Sequence, residues 1–168
     1  TTRGAGPTRQ SEPLPFDKLA ELNLEGELSN TKFPINPSAM VTLSTFFLLR
    51  ELEIAAARVE DMMINTQALE VKMRLSMRKN DPIAKGCERA WTCICDTAHH
   101  RAHTSCPYHA ARHHLNMLER VWKDGASGDF PLFPDAEGHE LNEDRLLDFV
   151  EAIARLCGEP IRNRTGQR

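Results

Sequence analysis

The chain has no run of apolar residues approaching the roughly 18 that a membrane span requires, and its N-terminus has no basic stretch leading into an apolar one. Neither membrane insertion nor secretion is expected. It also lacks a surplus of positive charge: 21 Lys and Arg against 24 Asp and Glu give a net charge of -3 over 168 residues. That argues against a free-standing nucleic-acid binder, which neutralises phosphates with a strongly basic surface, so any nucleic-acid contact must be local. By segment, residues 50–112 hold ten Lys and Arg against eight Asp and Glu, and residues 113–168 seven against eleven. No internal repeat, low-complexity tract or Cys-x-x-Cys pair occurs, and Tyr108 is the single tyrosine. The five cysteines are an odd number and cluster with histidines, unlike a disulfide frame; they point to a reducing compartment and to a metal.

Hydrophobic residues at 40% and charged residues at 27% fit a globular protein, and the length fits one domain with an arm or a part of something larger. Residues 1–36, with Pro7, Pro13, Pro15 and Pro34 and a short apolar run around Leu19 and Leu22, read as a largely irregular linker or arm with one or two helical turns. From Pro37, Leu43, Phe47, Arg50, Ile54 and Ala57 follow helical spacing and predict one stripe with an arginine inside it. Met62 to Asn65 is a short strand candidate. Leu69, Val71, Met73, Leu75 and Met77 then alternate with Glu70, Lys72, Arg74, Ser76 and Arg78, which predicts a half-buried strand, and Arg89 to Cys95, centred on Trp91 and Ile94, predicts a third. A helix opening at Cys106-Pro107 carries Ala111, Leu115, Leu118 and Trp122 on one face and stops near Lys123 to Gly128. After Phe130-Pro131-Leu132-Phe133-Pro134, a last helix is capped by Asn142, has Glu143 and Asp144 at its positive end, and lines one face with Leu146, Val150, Ile153 and Cys157 before Gly158 and Pro160. The expected class is α+β, mainly helical, with a small three-stranded antiparallel sheet.

A guanidinium cannot lose its proton, so Arg50 in an apolar stripe needs a partner or an anion. Glu53, one turn on, offers an i, i+3 ion pair; the other reading is a phosphate clamp. Cys93-Ile94-Cys95 puts two thiols at i and i+2, on one side of a strand, and Cys106-Pro107-Tyr108-His109 adds Cys-x-x-His. Four such ligands can close a tetrahedral zinc site, over a stretch 87–113 that would then be a zinc-stabilised insertion. His99, His100 and His103 can replace one ligand, and Cys87 is a further candidate. The competing reading is a buried cysteine pair beside a polar, histidine-rich loop. With four protein ligands the zinc would be structural, fastening the third strand to the Cys106 helix, while Cys157 reads as core.

The order of Arg50-x-x-Glu53-Ile54, Glu60-Asp61, a strand, and an alternating strand running into Arg78-Lys79-Asn80-Asp81-Pro82 resembles the tyrosine recombinase and integrase family, in particular its retroelement-encoded members. The Cys106-Pro107 helix start, the Pro-Leu-Phe-Pro loop and the 142–157 helix resemble the segment leading to that family's second arginine box. The likeness covers residues 37–168 and implies part of the catalytic core of a DNA breaking and rejoining enzyme, serving recombination and integration, with Arg50 as first phosphate clamp, Glu53 orienting it and Lys79 as general acid on the turn between the second and third strands. Arg78 and Lys85 are alternatives for that acid, and Arg74, Arg78, Lys85 and Arg89 are candidate DNA contacts. Lys79 also reads simply as a solvated turn lysine. The resemblance further implies double-stranded DNA as partner, a homo-oligomer on DNA when complete, a nuclear or otherwise DNA-associated location, and no cofactor for the chemistry. The family's second His-x-x-Arg box and its tyrosine nucleophile are expected beyond Gly166, so these residues alone should not cleave DNA. His109-Ala110-Ala111-Arg112 spells that box but precedes the Pro-Leu-Phe-Pro loop, with no tyrosine after it. The other readings are a non-enzymatic zinc-stabilised DNA-binding or interaction module and a plain helical interaction domain.

Overall fold

A computed structural model describes residues 16–22, 24–28, 31–75, 87–95 and 105–158. Helices α1 (Phe16–Glu21), α2 (Leu24–Glu27), α3 (Pro37–Phe47) and α4 (Glu51–Ala56) lead through a 3-10 turn (Val59–Asp61) into strands β1 (Met62–Asn65), β2 (Glu70–Leu75) and β3 (Cys87–Thr92), then α5 (Pro107–Trp122) and α6 (Glu143–Leu156). The class is α+β. The sheet is antiparallel in the order β1-β2-β3, with Met62 opposite Met73 and Met73 opposite Arg89. Val71, Met73 and Leu75 are buried, as alternation requires; Leu69 lies in the turn before the strand, and Met77 falls outside the described residues.

The inner face of the sheet meets Leu43 and Phe47 of α3, Ala111 of α5, Leu132 and Phe133 of the loop, and Leu146, Phe149, Ile153 and Cys157 of the last helix and its end, in one core. Leu19, Leu24 and Leu28 from the expected arm pack into the same core. The last helix starts where its sequence says, with Asn142 Oδ1 accepting from the Arg145 N–H at 2.9 Å, and Gly158 past its end has φ +72°. Its buried face differs from the expected one. Phe149 is buried and Val150 exposed, because a wider stripe centred on Leu146, Phe149 and Ile153 faces the core. The Pro-Leu-Phe-Pro loop ends in buried Asp135, whose carboxylate accepts from the N–H groups of Glu137 and His139, both at 2.9 Å, and from Arg145 Nη1 at 2.7 Å. Burial pushes the Asp135 carboxyl up, but those three donors outweigh it and hold it below its ordinary value.

The single stripe through Arg50 is not what forms. The chain leaves α3 at Leu48, in the left-handed region at φ 52°, with the Leu49 N–H donating to Ser44 O at 2.9 Å and the Leu48 N–H to Thr45 O at 3.3 Å. This is the pattern in which a left-handed residue satisfies the last carbonyls of a helix, and it makes α3 and α4 separate rods. Because Leu48 is 74% exposed, its side chain gives nothing back for the unfavourable φ. Leu48→Gly is expected to raise stability by up to about 1 kcal/mol, once the unfolded-state freedom of glycine is subtracted. A lower urea midpoint for this variant would show that the leucine contributes something the exposed geometry does not reveal.

Candidate metal centre and the Arg50 junction

The third strand ends at Thr92, earlier than the predicted Arg89 to Cys95, and starts two residues sooner, so Cys93 and Cys95 are not neighbours on one face of a strand. They sit on the chain just after it. The Cys93 N–H still reaches back to Leu69 O at 2.8 Å, and the Cys95 N–H then turns onto Cys93 Sγ at 3.4 Å, which brings both sulfurs inward. Cys106 is the residue before α5, with Pro107 opening the helix, and His109 lies three residues on, where helical spacing puts it on the same side. The Tyr108 ring packs edge-on against the His109 ring at 5.1 Å.

One sulfur each from Cys93, Cys95 and Cys106 and one nitrogen of His109 lie within 4.8 Å of one another. His109 Nδ1 is 3.7 Å from Cys93 Sγ, 3.3 Å from Cys95 Sγ and 3.4 Å from Cys106 Sγ, and the Cys93 and Cys106 sulfurs are 3.8 Å apart. A tetrahedral ion with metal–sulfur bonds of about 2.3 Å and a metal–nitrogen bond of about 2.0 Å has edges of about 3.8 Å between sulfurs and about 3.5 Å from sulfur to nitrogen. The donor set and its spacing fit a four-coordinate metal. The expected loop alternatives His99, His100 and His103 lie outside the described residues, whereas Cys87 is exposed at the start of β3 and Cys157 is in the core, so neither joins the cluster.

The protein environment treats the thiols unequally. Burial pushes the Cys106 thiol up, but the N–H groups of His109 and Ile94 and the side chains of His109 and Cys95 favour the thiolate and bring it down to about 6. Burial, reinforced by the neighbouring Cys95 and Cys106 against the Cys95 N–H, takes Cys93 up to about 11. Deprotonating all three thiols this close together would set their charges against one another, and a cation at their centre would relieve that.

The strand that enters this cluster also grips the end of α3. Trp91 Nε1 donates to Phe46 O at 2.8 Å, its ring meets Phe46 edge-on at 5.3 Å, and Arg89 Nη1 donates to the carbonyls of Phe47 and Leu48. These are carbonyls that a helix end leaves without intrahelical partners. Arg89, expected as a DNA contact, therefore spends its guanidinium on the helix end. Arg74, expected likewise, pairs with Asp61 at 3.3 Å and Glu60 at 3.9 Å.

Two residues past Leu48, Arg50 precedes α4 with its side chain exposed, not within an apolar stripe. Glu53 does not take the expected ion pair: its carboxylate accepts the Arg50 backbone N–H at 2.8 Å and so caps α4. The Arg50 guanidinium has no ion pair among the described residues. Arg78, Lys79 and Lys85, on the segment joining β2 to β3, lie outside the described residues. No family model, curated protein or solved structure matches the chain.

Proposed function

We propose that this chain is the part of a tyrosine recombinase-like DNA breaking and rejoining domain that carries the first arginine box, braced by a structural zinc ion on Cys93, Cys95, Cys106 and His109. The observation that carries the reading is Arg50: a guanidinium at the start of a helix, exposed, with no ion pair among the described residues, while the Glu53 carboxylate accepts the Arg50 backbone N–H. The element order after it supports the same reading, since α4 runs through a short turn into a three-stranded antiparallel sheet whose β2 and β3 are joined by the segment containing Lys79. Three sulfurs and an imidazole favour zinc over harder divalent ions, and four protein ligands leave no position for a substrate. The zinc supplies cross-linking of β3 to α5 and no chemistry.

In the proposed reaction a tyrosine hydroxyl attacks the scissile phosphorus and passes its proton to water or a base beside it, the bond from phosphorus to the 5'-oxygen breaks, and a 3'-phosphotyrosine and a 5'-hydroxyl result. Arg50 donates paired hydrogen bonds to the non-bridging oxygens, where charge builds, and Lys79 gives its proton to the departing 5'-oxygen. Glu53 fixes the start of α4 and with it the arginine. Tyr108 is not the nucleophile, because it is fully buried beside the metal ligands. The attacking tyrosine and second arginine would come from a further segment with its own His-x-x-Arg box, distinct from His109-Ala110-Ala111-Arg112.

The test is strand cleavage by the chain joined to such a segment. Lys79→Ala is expected to slow cleavage by about 100-fold or more, and Arg50→Ala by about as much, while Lys79→Ala leaves DNA affinity nearly unchanged. Undiminished cleavage by Lys79→Ala would rule out this lysine as the general acid. The four-ligand cluster by itself equally favours a zinc-stabilised binding module without catalysis, for which neither substitution has a reaction to abolish.

A further inference from the structure

We infer that the solvent face of α5 is a nucleic-acid-binding surface that engages the phosphate backbone of duplex DNA through Arg112, Arg120 and Lys123; this rests on the DNA reading above. Helix α5 is amphipathic, with Ala111, His114 and Leu118 buried against the rest of the molecule. At 3.6 residues per turn, Arg112, His113, Asn116 and Arg120 fall within an arc of about 100° on the opposite side, and Lys123 continues it in the 3-10 turn after the helix. All five are exposed, and Glu119 at the edge is the only acidic residue of the helix.

Arg50 aside, the way most of the other described cations are used sets this face apart. Arg58, Lys72, Arg74, Arg145 and Arg155 each pair with a carboxylate. Arg89 caps α3. Arg112, Arg120 and Lys123 make no ion pair among the described residues, and even Glu119, four residues before Lys123, does not bridge to it. Arg120 and Lys123 also suit the negative end of the helix, but Arg112, in its second turn, gains nothing from the helix dipole.

From Arg112 to Lys123 the rise is about 16 Å, long enough to pass several phosphates of a strand carrying one charge per about 3.4 Å of axis. A lipid surface fits worse. A helix lying on a membrane sets apolar side chains into the bilayer beside its cations, whereas the apolar stripe of α5 faces α3 and the sheet. Because such contacts reach phosphate and not base edges, binding there is indifferent to sequence.

Anisotropy of a fluorescein-labelled duplex with the zinc-loaded chain, across a salt series, tests the assignment. The triple variant Arg112→Gln/Arg120→Gln/Lys123→Gln is expected to flatten the slope of log affinity against log salt by about 2.7, or 0.9 for each lost phosphate contact, and to weaken binding at least about tenfold at moderate salt. Each single variant should account for about a third of the slope change. Arg112→Lys/Arg120→Lys should bind like the parent, since charge alone is required, and Lys72→Gln/Arg155→Gln, which removes two cations already paired, should bind much more tightly than the triple variant. If the parent binds DNA and the triple variant binds with the same slope, the surface is elsewhere and the DNA reading stands without it. Failure of the parent to bind any duplex overturns both. Binding to phosphatidylserine vesicles in place of DNA overturns the assignment as well.

Discussion

Cys106→Ser is expected to abolish metal binding at the proposed Cys93, Cys95, Cys106 and His109 site and, with it, the anchoring of β3. This strand contributes almost nothing to the core: five of its six residues are exposed, and Arg89 alone is half-buried. It is held by its ladder with β2, by Arg89 and Trp91 on the end of α3, and by the cluster that begins at Cys93. An ion that binds the folded chain and not the unfolded one stabilises it by about 4 kcal/mol at a free concentration a thousand times its Kd, and each tenfold loss of affinity removes about 1.4 kcal/mol of that. Losing one of four ligands should weaken the site more than 100-fold, beyond what loss of an outer hydrogen-bond partner does, and so remove at least about 3 kcal/mol. The melting temperature of the parent should fall sharply on chelation, and that of Cys106→Ser should already be low and indifferent to chelator. Cys87→Ser, off the cluster, should melt like the parent. A full equivalent of metal retained by Cys106→Ser would contradict the ligand assignment.

A second large effect is expected from acid, through His114. This residue is fully buried on α5, its Nε2 donates to Leu132 O at 2.6 Å, and its ring stacks on Phe133 at 5.3 Å, while Nδ1 meets no partner within the described structure. Burial disfavours the imidazolium most, only partly opposed by the Leu132 carbonyl, and brings the pKa down to about 4 from an ordinary 6.5. Between those values the unfolded chain holds a proton that the folded chain refuses, so stability falls as pH drops below 6.5 and levels off below 4. The loss attributable to His114 between pH 7 and pH 5 is about 2 kcal/mol at 1.36 kcal/mol per pH unit. Because acid also protonates metal ligands, the measurement is a difference: urea unfolding of the parent and of His114→Gln at both pH values, each with chelator present. The variant should be less stable at pH 7 and lose about 2 kcal/mol less on acidification. Equal acid sensitivity of the two chains would place the proton uptake elsewhere.

The candidate metal ligands are legible in the sequence because their chemistry is in the residue types, and soft donors gathered within 17 positions suit a metal. Their route together is not legible. It depends on the Cys95 N–H folding onto Cys93 Sγ after the strand has ended, a local turn that strand periodicity cannot anticipate. Strand β2 and the Asn142 cap arise from period and capping chemistry alone. The break at Leu48 does not, because a leucine with positive φ carries none of the glycine signal that marks such turns, and the apolar spacing of Leu43, Phe47, Ile54 and Ala57 continues across it. That break moves Arg50 from a supposed apolar stripe to the open start of a helix, and diverts Glu53 from the guanidinium to the backbone. Burial of Tyr108 and His114 is likewise hidden, since polar residues on an amphipathic helix are assigned to its outer face until packing decides otherwise.

The most direct test of the central claim is the coding sequence downstream of the Arg168 codon. The reading frame is expected to continue into a His-x-x-Arg box and, within a few dozen codons, a tyrosine, which would make Arg50 and Lys79 the first two residues of a complete strand-breaking site. A frame that continues without either element, or that stops at once, would contradict the recombinase reading and leave a zinc-braced binding module as the better description.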